Sequence, residues 1–222
     1  MNFFHARPIK AFSSLFEQSL AARAVKYGYS NARTKAMHST LLQKKEIDSM
    51  IDAKNSSEIV ALLLRTSYSQ DLIEEAAEFS KADLVEISIG KNFSRMLKKL
   101  VKFSPKSDSQ KIREIFGRYD VLNIKNLLLG IHLKESREKI RLMLLESPNF
   151  NSSALKKFSE VQGIRGLVEE LKGTEYYSVL DRELAEYEKT GEIQKMVLAL
   201  ENFYYKKFSQ SKKSGFEISV TV

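Results

Sequence analysis

The side chains of this chain that could do chemistry are few and poorly placed for it. There are no cysteines, which removes disulfides, thiolate metal sites and cysteine nucleophiles. The three histidines, His5, His38 and His132, stand apart from one another, with neither metal-ligand spacing nor the carboxylates of a zinc site beside them. Each is expected to be structural or at the surface. Glu74-Glu75 and Glu169-Glu170 are paired carboxylates, but neighbours on a helix point in different directions, so they read as surface charge rather than an acid/base pair. No serine sits in a nucleophile elbow. Gly90-Lys91 lacks the further glycine of a phosphate-cradling loop. The expectation is a protein with no catalytic residues, no cofactor, no metal and no small-molecule substrate.

One pattern of chemically capable residues does recur. Tyr-x-x-x-Asn-x-(Arg/Lys) occurs as Tyr27, Asn31, Arg33 and again as Tyr119, Asn123, Lys125, with Asp120 inside the second copy. Every member of the second copy lies 92 residues after its counterpart. Each copy runs into an apolar helical stretch, Met37-Leu41-Leu42 or Leu127-Leu128-Leu129. An asparagine at a helix start can cap free N–H groups, and losing such a cap costs about 0.5–2 kcal/mol. A tyrosine packs its ring and keeps its hydroxyl for a hydrogen bond. An Arg or Lys two residues on can reach a carboxylate or a carbonyl. The pattern is therefore expected to stitch a helical unit together, with contact to a partner as its second possible role.

The elements that must position these residues are helices. Apolar residues recur at helical spacing in Ile112, Ile115, Phe116 and Tyr119, in Met96, Leu97, Leu100 and Val101, and in Met196, Val197, Leu200, Phe203 and Tyr204. Three prolines and nine glycines leave few breakers. Asn55 with Glu58 has the form of a capping box, and Ser107-Asp108, Ser152-Ser153 and Thr190 are further start signals. Val85 to Ile89 alternates like a strand but sits among helical neighbours; only the tail Phe216–Val222 reads as extended.

The duplication reaches beyond the opening pattern. Thr66-x-Tyr68-x-x-x-Leu72 returns as Thr174-x-Tyr176-x-x-x-Leu180, displaced by 108 residues rather than 92, which places an insertion around Ser136–Ser152 in the second copy. The expected organisation is a leading helical segment over 1–26, one helical unit over 27–106, a second over 107–210, and a polar, extended tail over 211–222. The mildly basic first 25 residues have a composition that would also suit a transit peptide. No apolar run approaches the roughly 20 residues of a membrane span.

The net charge of +8 admits nucleic acid, anionic lipid or an acidic protein as partner. Lys98-Lys99-x-x-Lys102, Lys206-Lys207 and Lys212-Lys213 could neutralise phosphates. The charges are otherwise interleaved with acids, and neither a helix-turn-helix nor an aromatic platform is present, so nucleic acid is not the expected partner. A basic helical scaffold or nucleic-acid-binding protein is the alternative class.

Five stretches together resemble one family. They are Tyr-Gly-Tyr-Ser-Asn-Ala-Arg-Thr-Lys-Ala-Met from Tyr27, Phe-Ser-Pro at 103–105, the segment Gly117 to Gly130, the segment Leu184 to Ile193, and Phe-Tyr-Tyr-Lys-Lys-Phe at 203–208. The family is the C subunit of archaeal and V-type ATP synthases and ATPases, which includes the d subunit of eukaryotic vacuolar enzymes. The resemblance implies an all-α, funnel-like fold of three related units about a pseudo-threefold axis. It also implies a non-catalytic part of the central stalk, on the cytoplasmic face of the membrane and peripheral to it. There it would couple the membrane rotor ring to the D and F subunits of the stalk during proton or sodium ion transport. Two units are found in this chain against the family's three.

Overall fold

A computed structural model describes the backbone of residues 8–213 and the side chains of residues 21–210. Eleven helices occur among the described residues, with no strand between them. They are α1 (Pro8–His38), α2 (Lys44–Ile51), α3 (Ser56–Leu63), α4 (Ser69–Glu75), α5 (Lys81–Phe103), α6 (Lys106–His132), α7 (Arg137–Leu142), α8 (Ser152–Glu160), α9 (Gly163–Glu170), α10 (Tyr177–Thr190) and α11 (Ile193–Lys213). The all-α expectation holds, and the alternating stretch Val85–Ile89 lies within α5. The expected extended tail, Phe216–Val222, lies outside the described residues.

Local chemistry explains most helix ends. The Asn55 side chain accepts from the Glu58 N–H at 3.1 Å, while the Glu58 carboxylate takes the Lys54 N–H at 2.9 Å rather than that of Asn55. Asn151, not the serines after it, caps α8 by accepting from the Ala154 N–H at 2.9 Å. Thr190 ends α10 instead of starting a helix. Gly191 follows at φ 73° and donates to the Tyr187 carbonyl at 2.7 Å, a left-handed stop that a side chain would strain.

The apolar residues gather in two clusters. The larger is built from α6 and the helices after it: Ile124, Leu127, Leu128, Leu167, Leu171, Leu180, Met196 and Leu200 are completely buried. Here α6 packs against α9 and α11, and α10 and α11 form an antiparallel pair over Gly191. The smaller holds Leu63, Leu72 and Leu84, covered by Leu42, Met50, Ile59, Val60, Tyr68, Phe79 and Val85. In that half α3 and α4 lie on α5, and α1 touches α5.

α1 runs unbroken through residue 26, and only Ser104 and Pro105 separate α5 from α6. Phe93 of α5 meets Tyr119 of α6 with ring centroids 4.9 Å apart. Lys98 of α5 pairs with Glu146, in the segment between α7 and α8. A Cβ on Gly90 would stand 3.0 Å from Leu145 Cδ1, so α5 and this segment approach closely at that glycine.

Candidate functional site

The two copies of the tyrosine–asparagine–cation pattern lie inside α1 and α6, not ahead of them. This corrects the expected capping role. Only the first turn of a helix has free N–H groups, and Asn123 is far beyond the first turn of α6. It is completely buried and works sideways. Its Nδ2 donates to the Leu145 carbonyl at 2.6 Å, and its Oδ1 accepts from the Leu145 N–H at 2.8 Å. An amide has one donor face and one acceptor face, so it can pair with a peptide unit as another peptide would.

Asn123 belongs to a polar stripe on α6 that holds the irregular segment 143–150. Asn126 Nδ2 donates to the Met143 carbonyl at 2.7 Å. Arg113 donates to the Pro148 carbonyl. Asp120, also fully buried, takes the Ser147 hydroxyl, the Asn149 amide at 2.7 Å and the Tyr176 hydroxyl at 3.1 Å. The segment runs antiparallel to α6, since ascending positions 113, 120, 123 and 126 meet descending positions of the segment. A segment without secondary structure must find partners for its backbone groups, and α6 supplies them.

Burial raises the Asp120 carboxyl above its ordinary range despite its three donors, and burial together with the Asp120 charge pushes the Tyr176 hydroxyl far upward. Such a shift in a cleft would mark a catalytic candidate. Here the oxygens are spent on structural donors, so the group serves as an anchor. Lys125, the last member of the second copy, pairs with Glu201 and ties α6 to α11. Tyr119 packs between Phe93 and Phe116.

The first copy has different surroundings. Asn31 is exposed, and its side chain makes no hydrogen bond among the described residues. Gly28 occupies the position corresponding to Asp120. Tyr27 faces Asp108, at the start of α6, and is the main cause that holds this carboxyl below its ordinary range. Lys26 pairs with the same carboxylate at 3.5 Å. Arg33 lies over the Phe103 ring at 4.4 Å, Tyr29 meets that ring edge-on at 5.9 Å, and the Ser30 hydroxyl donates to the Phe103 carbonyl at 2.5 Å. The first copy thus clamps α1 to the end of α5 and the start of α6.

A second buried polar group has no signal in the sequence. Asp71 of α4 accepts from Asn92 Nδ2 at 2.9 Å and from Arg95 at 2.7 Å, both on α5. Its partners lie more than twenty residues away, and no short motif joins them. The α6 stripe does leave a signal: Asp120, Asn123 and Asn126 recur every third residue on a helix whose other inward positions are apolar.

The remaining candidates sort into structural pairs. Glu74 accepts from Gln70 while Glu75 pairs with Lys91. Glu169 pairs with Lys172, and Glu170 with Lys157. His132 Nδ1 sits 3.0 Å from the Tyr187 hydroxyl, His38 is exposed, and His5 lies outside the described residues. Of the lysines able to meet phosphates, Lys98 and Lys207 are paired with Glu146 and Glu175. Among the described residues no group of His, Asp and Glu is arranged to hold a metal ion. No described helix is long and apolar enough to cross a membrane.

Comparison with known proteins adds a family. The family model described as ATP synthase (C/AC39) subunit matches residues 30–220. The C subunit of the A-type ATP synthase of Methanocaldococcus jannaschii is 29% identical over 178 residues, covering 80% of this chain and 45% of that protein. The protein of the same name from Methanosarcina mazei is 30% identical over 156 residues, 70% of this chain and 43% of its own length. That of Haloferax volcanii is 22% identical over 177 residues, 80% and 51% respectively. The chain spans about half the length of the curated relatives it matches.

Proposed function

Because this chain belongs to the ATP synthase (C/AC39) subunit family, we propose that it is a non-catalytic central-stalk subunit of an archaeal or V-type rotary ATP synthase or ATPase. In this role it couples the membrane rotor ring to the D and F subunits of the stalk, at the cytoplasmic face and peripheral to the membrane. The observation that carries the proposal is the family match over residues 30–220.

The packing suits such a part. A coupling element must pass on torque without local unfolding, and stiffness comes from dense cores and satisfied polar groups. The larger cluster supplies the first, and the α6 stripe supplies the second where the chain is least regular.

We also read the chain as two related units, on either side of Pro105. Several features support this. Helices α2, α3 and α4 start where α8, α9 and α10 would start after a shift of about 108 residues. Thr66 donates to the Leu63 carbonyl at 2.6 Å and accepts from the Tyr68 N–H at 3.3 Å; Thr174 does the same with Leu171 and Tyr176 at 2.7 and 3.3 Å. Each half also has its own apolar cluster. α7 and the pinned segment 143–150 then form the insertion of the second unit.

The test is co-purification of the chain with D, F and ring subunits expressed together. Retention of the chain with stalk and ring subunits is expected. Binding to a short nucleic-acid duplex with steep salt dependence, and to none of those subunits, would establish the alternative class instead.

A further inference from the structure

A cleft of about 280 Å³ opens between α1, α4 and α5, lined by Arg33, Met37, Asn92, Arg95, Met96, Lys99 and Phe103, among others. Its charge is one-sided. Arg95 is engaged by the buried carboxylate of Asp71, but neither Arg33 nor Lys99 has a carboxylate partner among the described residues. Asn92 is 1% exposed, and both of its Nδ2 hydrogens are used, on the Ser67 carbonyl at 3.2 Å and on Asp71. Its Oδ1 is buried with no donor. Turning the amide over would set that oxygen against the Asp71 carboxylate, so the orientation is fixed.

The second half of the chain closes the corresponding place. There Lys125 pairs with Glu201, Lys207 pairs with Glu175, and Leu128 and Leu200 fill the space between α6 and α11. On the two-unit reading, on which this comparison rests, Lys125 and Lys207 correspond to Arg33 and Lys99. Glu201 and Glu175 correspond to Phe93 and Ser67, and Leu200 to Asn92. The cations are kept while both acids and the apolar plug are gone.

We propose that this cleft is a docking site for an acidic segment of a protein partner. A partner carboxylate lies between Arg33 and Lys99. A neighbouring apolar side chain of the same segment packs on Met37, Met96 and Phe103. A peptide brings both features, whereas a fully ionised phosphate brings only the charge.

The test selects a random short-peptide display library on the immobilised full chain, with the double variant Arg33→Gln/Lys99→Gln as counter-selection. Enrichment of peptides carrying Asp or Glu beside an apolar residue is expected. A synthetic peptide of the enriched sequence should bind the double variant at least about fivefold more weakly than the parent chain, the effect of two partly exposed ion pairs. Replacing its acid by the amide should weaken binding similarly. Arg33→Gln also removes the cation over the Phe103 ring, so the single variant Lys99→Gln, whose side chain is exposed, is measured beside it, and weaker binding at an unchanged melting temperature there separates lost docking from lost fold. No acidic enrichment, or equal affinity for the two chains, overturns the proposal. Displacement of the peptide by millimolar inorganic phosphate or by phosphatidylglycerol vesicles also overturns it, in favour of a phosphate or a headgroup. No stalk or ring subunit takes part, so this result and the co-purification can fail independently.

Discussion

Asn123→Ala separates a helix-capping role from the one the structure gives this residue. The substitution deletes two hydrogen bonds, at 2.6 and 2.8 Å, and leaves the carbonyl and N–H of Leu145 without partners. Each lost bond costs about 0.5–1.5 kcal/mol net, and more where the abandoned group is kept from water. Asn123 is completely buried and Leu145 half-buried, so the pair together falls at about 2–4 kcal/mol. Alanine is the better helix former by about 0.5 kcal/mol, which offsets a little. A net loss of about 2–3 kcal/mol should lower the melting temperature by about 4–12 °C in a chain of this length. Thermal and urea unfolding followed by circular dichroism would measure it, and hydrogen exchange should show the Leu145 amide losing protection. Asn31→Ala is the matched control. Asn31 occupies the same place in the first copy but is exposed and unbonded, so its replacement should cost nothing and gain a few tenths of a kcal/mol. A loss below about 1 kcal/mol at Asn123, or equal losses at both positions, would refute the sideways pairing.

Asp120→Asn should change how stability depends on pH. Burial raises the native carboxyl, so the native state holds this proton at pH values where the unfolded chain has released it. The corresponding stability is present below the ordinary carboxyl value of about 3.9 and is lost as pH rises through the raised native value. The stability of the parent chain relative to the Asn variant should therefore fall from about pH 4 towards neutrality. Urea midpoints of the two proteins across that range test this, and a constant difference would contradict it. Gly130→Ala should destabilise although alanine favours helices. Its Cβ would meet Ile140 Cγ1 at 2.6 Å and Cδ1 at 3.0 Å, a forced shift of α7 worth about 1–3 kcal/mol. Gly28→Ala, with nothing within 4 Å, should stabilise by about 0.5–1 kcal/mol in the same unfolding assay.

The helical class was legible because its signal is local and repeated. Met196, Val197 and Leu200 share one face by spacing, and all three are buried. The role of the repeated pattern was less legible. Asparagine is a good cap only where a helix starts, and no proline stands just ahead of Tyr27 or Tyr119; α1 and α6 run through both, α6 through Gly117 as well. The identity of Asn123 therefore pointed to a polar task, while its partner Leu145 lay in the irregular segment 143–150, where no local rule reaches. Asp120 was legible only as a member of the motif. Its partners Ser147, Asn149 and Tyr176 come from three-dimensional closure, as do the partners of Asp71.

The two halves differ in how completely they are closed, and the difference bears on where force can enter. In the later half α6 is held by apolar contact with α9 and α11, by the Tyr204 hydroxyl on the Ile115 carbonyl at 3.0 Å, and by the pinned segment. In the earlier half no residue from 21 to 60 is buried, and Val25 and Tyr29 of α1 stay exposed. A long helix is marginal in water unless a face of it is covered, because propensity alone contributes little. Among the described side chains, α1 is attached mainly through Phe103 and Asp108, at one junction of α5 and α6. A body that passes on torque deforms first where contacts are fewest. On the proposed role, α1 and the cleft beside it are therefore where a partner adds most stiffness. An acidic segment seated between Arg33 and Lys99 would bridge α1 to the body of α5, which the single junction at Phe103 does only at its end.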